Sequence, residues 1–144
     1  MAGSIFTIAG RAGLGFLIAL VLSYIGVWVA WGLYYFFTDT SSKLLRDVMF
    51  LAGAAIGAGL GGSLTWLRLD RNSLPVLLLI GSAGIGGGII GSWMGYEFAL
   101  NREIKCCSDP PVNAFSYAAL GATVAANLGT LLLGVVREIV TFRR

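Results

Sequence analysis

Two stretches of the chain, residues 57–62 and 86–91, match the pattern G-x-G-x-x-G. In dinucleotide-binding proteins this pattern forms a glycine-rich turn around a pyrophosphate, and it needs a preceding strand, a βαβ unit and an acidic residue about 20 positions further on. Both matches lie instead inside long uncharged, apolar segments. We therefore interpret these glycines as helix-packing residues and predict neither nucleotide nor nucleic-acid binding.

The thiols of Cys106 and Cys107 are adjacent, and the chain contains two cysteines and no histidine. A zinc site needs about four nitrogen or sulfur ligands, so this chain cannot build one alone. A strained vicinal disulfide, pairing with another subunit, lipidation and inert thiols stay open as alternatives. The lack of histidine also excludes His-ligated haem, chlorophyll or metal, and it excludes Ser–His and Cys–His nucleophile pairs. We predict no catalytic residue, no metal and no enzyme activity.

Three polar residues, Thr123, Asn127 and Thr130, are spaced to share one face of a helix. Small residues take the opposite face. A polar side chain in the middle of a membrane helix needs a partner, and hydrogen bonds between helices satisfy it at a gain of only about 0.6–2 kcal/mol. We expect these side chains to join helices. Contact with a substrate or ion in a pore is the alternative.

Four aromatic residues near the N-terminal end also share one helix face, at intervals of four, three and four residues: Tyr24, Trp28, Trp31 and Tyr35. An interfacial aromatic belt would explain Trp31, Tyr34 and Tyr35. Tyr24 and Trp28 lie roughly 10–20 Å deeper, at about 1.5 Å per residue. Aromatic rings at that depth suggest packing against a protein partner, a quinone, a carotenoid or a pigment tail, and the belt and the partner surface stay open as alternatives.

The elements that position these residues follow from charge and hydropathy. The chain of 144 residues is 57% hydrophobic and 12% charged, whereas a soluble domain is about 25% charged. Four segments contain no charged residue: 14–37, 48–67, 74–96 and 112–136. Each has about the 20 residues that a helix needs to cross the hydrocarbon core. We predict an all-α integral membrane protein in which residues 1–144 form one domain of four transmembrane helices. Within this domain, a short interfacial lead-in at 1–13 comes before the first helix.

Of the 21 glycines, 12 fall in the second and third segments. Glycine is a poor helix former in water, but small residues four apart let two membrane helices approach closely. The link at 68–73 is short, so we predict an antiparallel bundle in which helices 2 and 3 form a glycine-zipped hairpin. The predicted packing residues are Gly53, Gly57, Gly61, Ala83, Gly87, Gly91 and Gly95.

The distribution of charges predicts an orientation. Six Lys/Arg residues flank the ends that share a side with both termini, and four flank the other ends. Because cytoplasmic loops carry an excess of Lys and Arg, we expect both termini on the cytoplasmic side of a bacterial inner or organellar membrane. The sequence pI of about 9.1 then reflects membrane topology.

These features favour a non-catalytic structural or assembly subunit of a larger membrane protein complex, of the kind found in respiratory or photosynthetic assemblies. Its partners would be membrane lipids and other membrane subunits. No resident cofactor is predicted, although a lipid, quinone or carotenoid could pack on the aromatic face of helix 1. The alternative is a small homo-oligomeric channel, holin-like pore or exporter. The central two-thirds of each predicted helix carries no charge, which argues against proton-driven transport.

Overall fold

The computed structural model describes residues 2–37, 42–66, 74–102 and 112–142, with side chains described over 6–37, 42–66, 75–102 and 113–136. The described residues form four α-helices: α1 (Ala2–Phe37), α2 (Lys43–Leu64), α3 (Leu74–Asn101) and α4 (Val112–Phe142). Each helix contains a stretch long and apolar enough to cross a membrane: Phe6–Phe37, Lys43–Leu64, Pro75–Asn101 and Asn113–Val136. The predicted helical class and number of membrane-crossing helices are confirmed, as expected for a multi-pass membrane protein.

All four helices are longer than the uncharged segments that predicted them. Helix α1 begins at Ala2 and not at residue 14, so the predicted lead-in is wrong for the described residues. No proline interrupts this stretch, and a single glycine such as Gly10 costs only about 1 kcal/mol. Charged residues near helix ends reach polar surroundings without breaking the helix. A gap between charges therefore measures the apolar length of a helix and not its full length.

A serine caps the start of α2. The Ser42 side chain accepts a hydrogen bond from the Leu45 N–H at 3.4 Å, in the manner typical of serine at a helix N-cap. Pro75 is the second residue of α3, where its missing N–H leaves no helical bond unmade. Serine is also favoured at the N-cap of α3, but Ser73 lies outside the described residues.

The contact between α1 and α2, here called the first seam, is made by small residues. Gly53 meets the backbone of Gly26, and a Cβ added to Gly53 would lie 2.8 Å from the Gly26 carbonyl carbon. Gly57 lies against Ser23 and its neighbour, and Gly61 lies against Ala19. Residue numbers fall along α1 as they rise along α2. A side chain at any of these glycines would push the two helices apart.

A second seam of the same kind joins α3 and α4. Gly91 meets Gly121, while Gly87 lies against Ala125, so that a Cβ on Gly87 would be 2.6 Å from the Ala125 carbonyl oxygen. Further along α3, Gly95 meets the backbone of Tyr117. The prediction that these glycines face those of α2 is therefore wrong about the partners. The short link makes α2 and α3 neighbours but does not select the face that each helix turns to the other.

Helices α2 and α3 do touch, but through different small residues. Gly59 lies against Ile85, where an added Cβ would be 2.7 Å from the Ile85 Cα, and Gly88 lies against Ala55. Helix α2 also contacts α1 and α4, whereas α1 and α3 do not contact each other within the described residues. Of the residues in the most apolar 18-residue stretch of α2, half are buried, whereas 17% are buried in the corresponding stretch of α1. Helices α2 and α4 each contact the other three helices, α2 is the more buried of these two, and α1 is the least buried helix of the bundle.

The interior between α2 and α4 is filled by methyl groups. Ala54 and Ala58 of α2 pack with Ala122 and Ala126 of α4, and all four are fully buried. Alanine at these positions brings the helix backbones close and fills the space between them. The polar residues of α4 are positioned around this alanine core.

Candidate functional site

The aromatic residues Tyr24, Trp28, Trp31 and Tyr35, here called the outer aromatic face, lie on the side of α1 away from the first seam. Trp28 is 67% exposed and Tyr35 is 50% exposed, and Tyr24 is partly buried. The Trp28 and Trp31 rings meet edge to face with centroids 5.9 Å apart, and the Trp31 and Tyr35 centroids are 5.1 Å apart. Edge-to-face and tilted ring contacts of this length are favourable. The structure therefore joins three of the four predicted residues into one exposed patch.

Tyr34, the neighbour of this patch in sequence, turns inward, so its assignment to an interfacial belt is wrong. It is 7% exposed and packs on Phe50 of α2 with ring centroids 6.4 Å apart. Phe50 packs on Phe115 at 4.7 Å, and Phe115 stacks on Tyr96 at 5.4 Å. These four rings form a buried aromatic cluster contributed by all four helices. The cluster lies near the start of α2, where the Tyr34 hydroxyl also donates to the Ser42 carbonyl at 3.3 Å.

A charged group borders the buried aromatic cluster. The Tyr96 hydroxyl donates to Asp47 Oδ2 at 2.9 Å, and Arg46 Nε donates to Asp47 Oδ1 at 3.0 Å. Arg46 is 8% exposed and forms an ion pair with Asp47. Burying an arginine is unfavourable unless a carboxylate compensates it. The sequence analysis did not predict this link between α2 and α3; the adjacent opposite charges at the start of an apolar segment were the available signal.

The polar residues predicted on α4 bond within their own helix. Thr123 Oγ1 donates to the Ala119 carbonyl at 2.8 Å, and Asn127 Nδ2 donates to the Thr123 carbonyl at 2.8 Å. Thr130 Oγ1 likewise donates to the Ala126 carbonyl at 3.0 Å. Thr123 and Thr130 are fully buried. These three side chains thus donate to carbonyls of their own helix, and the part of the chain that the structure describes does not show the interhelical hydrogen bonds that the sequence predicted for them.

Ser23 makes the cross-helix bonds that the sequence assigned to α4. Its hydroxyl is fully buried and lies 3.0 Å from the Ala54 carbonyl of α2 and 3.3 Å from the Ala119 carbonyl of α4. A hydroxyl has one donor, which these two acceptors share. Ser63 similarly lies 3.5 Å from the Ile80 carbonyl of α3. The available signal for Ser23 was a serine in the middle of α1 on the face opposite the aromatic residues.

An apolar groove of about 430 Å³ lies between α1 and α2, beside the first seam. Its lining residues fall within 22–33 of α1 and 49–60 of α2, and all of them are apolar or glycine. Gly26, Gly53 and Gly57, whose backbones take part in the first seam, are among its lining residues. The sequence did not predict this groove, because it depends on the angle and offset of two helices.

The described residues hold no group of three or more His, Cys, Asp or Glu side chains that could bind a metal ion. Cys106 and Cys107 lie outside the described residues. Two surfaces remain, the outer aromatic face and the groove. The groove is lined by apolar residues and glycine, whereas the outer aromatic face adds the Tyr24 and Tyr35 hydroxyls and two indole N–H groups to its aromatic rings. No protein family, curated protein or solved structure shows significant similarity to this chain.

Proposed function

We propose that this protein is a non-catalytic structural or assembly subunit of a larger membrane protein complex, and that it meets its partner through the outer aromatic face. The observation that carries the proposal is the exposure of Trp28, at 67%, deep along a membrane-crossing helix. Trp28 is nine residues from the end of α1 at Phe37, about 14 Å along the helix axis. Tryptophans of an interfacial belt lie at headgroup level. A deep, outward tryptophan is better explained by a partner helix.

The packing of α1 supports the same proposal. Helix α1 packs on α2 through the first seam, and its most apolar stretch is less buried than that of any other described helix. In a bilayer there is no hydrophobic force between helices, so association depends on close packing and shape. Trp28, Trp31 and Tyr35 already hold one another through ring contacts. A partner that packs on this patch orders few additional side chains, which lowers the entropy cost of association.

The interior of the bundle offers little to a transported solute. Methyl groups of Ala54, Ala58, Ala122 and Ala126 fill the centre between α2 and α4. The buried hydroxyls around them donate to backbone carbonyls. A conducting path through one copy would need to break these contacts, so a pore would have to form between copies.

The architecture and orientation belong to the same proposal. We expect an antiparallel bundle, held by the two glycine seams, in a bacterial inner or organellar membrane with both termini on the cytoplasmic side. A fluorescent-protein fusion and an alkaline phosphatase fusion at the C-terminus test the orientation. Fluorescence without phosphatase activity supports it, and the reverse result contradicts it.

A native gel of a gentle detergent extract tests the proposed function. We expect the wild-type protein to migrate with a large complex, and the double variant Trp28→Leu/Trp31→Leu to migrate alone. Trp93→Leu is the matched control, because Trp93 is 58% exposed but lies on α3. Its migration should equal that of the wild type.

The opposite outcome is equally definite. If the purified wild-type protein runs alone as a small symmetric oligomer and makes liposomes leak a specific ion, the subunit proposal is wrong and the channel alternative is correct. Loss of the complex in Trp93→Leu as well would show that the outer aromatic face has no special role.

A further inference from the structure

Each glycine seam is centred on two glycines that meet reciprocally. A Cβ added to Gly26 would lie against the Gly53 carbonyl, and one added to Gly53 would lie against the Gly26 carbonyl. Gly91 and Gly121 meet in the same reciprocal way in the second seam. These two pairs set a register in which α1 corresponds to α3 and α2 corresponds to α4. It equates residues 14–35 with 79–100, and residues 48–64 with 116–132.

The other contacts of the two seams follow the same register. In both seams a contact recurs about one turn from the central glycines and again about two turns away. This agreement shows that the first hairpin (α1 with α2) and the second hairpin (α3 with α4) are built alike. The corresponding contacts are Ala30–Gly53 and Gly95–Gly121, Leu22–Gly57 and Gly87–Ala125, and Ile18–Gly61 and Ala83–Gly129.

The sequence repeats in this register as well. Helix α1 reads Ile-Gly-Val-Trp over residues 25–28, and α3 reads Ile-Gly-Ser-Trp over residues 90–93. Between residues 53–64 of α2 and 121–132 of α4, six of 12 residues are identical, and the central glycine is one of the six. Close packing of membrane helices needs small residues, but it does not need the same tryptophan or leucine at the same place. The identical residues of α2 are Gly53, Ala54, Ala58, Leu60, Gly61 and Leu64.

The burial of side chains follows the repeat too. Ser23 and its counterpart Gly88 are buried, whereas Trp28 and its counterpart Trp93 are exposed. On α2 and α4 every fourth residue is exposed at corresponding positions, so both helices turn the same face outward. These residues are Ala52, Ile56, Leu60 and Leu64 of α2, and Leu120, Val124, Leu128 and Leu132 of α4.

The contacts between the hairpins show how the two are related in space. Helix α2 contacts α3, and α4 contacts α1. A repeat by translation, as in a solenoid, gives each unit contacts with its sequence neighbours only and would leave α1 and α4 apart. A two-fold rotation brings both pairs of helices into contact. Helices α2 and α4 also contact each other, whereas α1 and α3 do not within the described residues. The axis of the rotation therefore passes between α2 and α4.

The surface on this axis is the same in both hairpins. Ala54 and Ala58 of α2 correspond to Ala122 and Ala126 of α4, and these four fully buried residues are the alanine core. In a symmetric dimer, one patch meets the same patch of the partner subunit. The alanine core thus has the self-complementary arrangement of a dimer interface.

We infer that residues 14–35 with 48–64, and residues 79–100 with 116–132, are two copies of one helical hairpin, and that each copy binds the other as the subunits of a homodimer do, about a pseudo-two-fold axis between α2 and α4. The interaction surface is the alanine core, and its partner is the second copy within the same chain. The inference is independent of the proposed function, because no molecule outside the chain takes part in it.

The two copies differ at the outer aromatic face. Trp28 and Trp93 correspond and are both exposed. Trp31 corresponds to Tyr96, whose hydroxyl bonds inward to Asp47. The first copy therefore turns a ring outward at a position where the second copy turns one inward. Trp93 is a strict control for Trp28 for this reason, since it shares the position of Trp28 in the hairpin but not the ring beside it.

Distances between spin labels in the full-length protein test the inference. Each double variant carries cysteines in place of two exposed residues, in a chain whose two native cysteines are serines, and is diluted with unlabelled protein. Leu14 corresponds to Leu79 and Ala52 to Leu120, and all four are exposed. The two hairpin pairs, Leu14→Cys/Ala52→Cys and Leu79→Cys/Leu120→Cys, should give the same distance to within one helical turn, about 5 Å.

Two crossed pairs test the axis. They join α1 to α4 in Leu14→Cys/Leu120→Cys and α3 to α2 in Leu79→Cys/Ala52→Cys. A two-fold rotation exchanges these pairs, so their distances should also agree to within about 5 Å. Leu79→Cys/Leu128→Cys is the matched control, because Leu128 is exposed and lies two turns further along α4, about 12 Å nearer to the level of Leu79. Its distance should be clearly shorter than those of both hairpin pairs.

Two results would overturn the inference. A difference of more than about 5 Å between the hairpin pairs would show that the hairpins are not copies in this register. Agreement of the hairpin pairs together with a larger difference between the crossed pairs would show that no two-fold axis relates them. Melting temperatures identify the folded variants. Leu17 and its counterpart Ser82, both exposed, replace Leu14 and Leu79 where those labels unfold the chain.

Discussion

The two glycine seams are both close contacts between helix backbones, but the residues and surfaces beside them differ. At the second seam, small residues spaced four apart on α3 meet α4, with Gly91 against Gly121 at the centre. At the first seam Gly53 meets Gly26, and the Ser23 hydroxyl adds a bond that reaches both α2 and α4. Beside this seam lies the groove, and beyond it lies the exposed outer aromatic face.

The difference teaches how little contact is needed to hold an outer helix. Helix α1 attaches to α2 through the small residues of the first seam and through Tyr34 on Phe50, and to α4 through Ser23, yet only 17% of its most apolar stretch is buried. Close backbone contact gains dispersion energy over a small area. The remaining surface of α1 is therefore free to meet lipid and protein. Substitutions in the seam and substitutions on the surrounding surface should therefore differ in their effect on stability, and the variants below test this difference.

The largest effect should come from filling a seam. In Gly91→Leu and Gly57→Leu the new side chain meets backbone that cannot move aside, so we expect the free energy of unfolding to fall by about 3 kcal/mol or more. The measurement is the yield of monodisperse protein and its melting temperature. Gly81→Leu, where no atom lies within 4 Å of the added Cβ, should behave as the wild type. Wild-type stability in both seam variants would show that the bundle does not depend on close backbone contact at these glycines.

A smaller effect should follow from opening the charged group at the buried aromatic cluster. Asp47→Ala removes the carboxylate that pairs with the buried Arg46. We expect the free energy of unfolding to fall by about 2 kcal/mol, typical of hydrogen bonds to charged groups. Tyr96→Phe removes only the hydroxyl and should cost about 1 kcal/mol. Unfolding in increasing denaturant checks the order. A larger loss in Tyr96→Phe than in Asp47→Ala would show that the Arg46–Asp47 pair contributes little.

Replacing the bridging serine should have a modest effect specific to the first seam. Ser23→Ala removes the bond from α1 to α2 and α4, at an expected cost of about 0.6–1.7 kcal/mol in a membrane protein. Thr123→Val is the comparison, because the Thr123 hydroxyl bonds within its own helix, and there we expect a smaller loss. If Thr123→Val is the more damaging change, the cross-helix role belongs to α4 after all.

The smallest effect on stability should come from the outer aromatic face. Trp28→Leu removes an exposed side chain outside the bundle contacts, so its melting temperature should correspond to a change within about 0.5 kcal/mol. The same variant, combined with Trp31→Leu, is expected to lose the larger complex. A strong destabilisation of the isolated protein would show that these rings hold the bundle together and do not serve a partner.

Local patterns in the sequence were enough for the helices but not for their contacts. Uncharged apolar segments predicted four membrane-crossing helices, since spanning length is a property of each segment alone. The glycine spacing predicted close backbone approach, but it assigned the wrong partners to Gly57 and Gly91. Helix α2 carries small residues on more than one face, so spacing alone cannot say which face meets which neighbour. Tyr34 and Tyr35 show the same limit, because one is buried and the other exposed at the same helix end.

The sequence by itself determined the helical class, the number of apolar helices and the residues at which backbones can touch, because hydropathy and side-chain size act locally along a helix. Only the tertiary structure decided that α2 and α4 contact every other helix, that Ser23 bridges three helices and that Asp47 meets Tyr96. It also decided that a groove opens beside the first seam. These features depend on the rotation and offset of whole helices, which are set by the packing of many small surfaces at once.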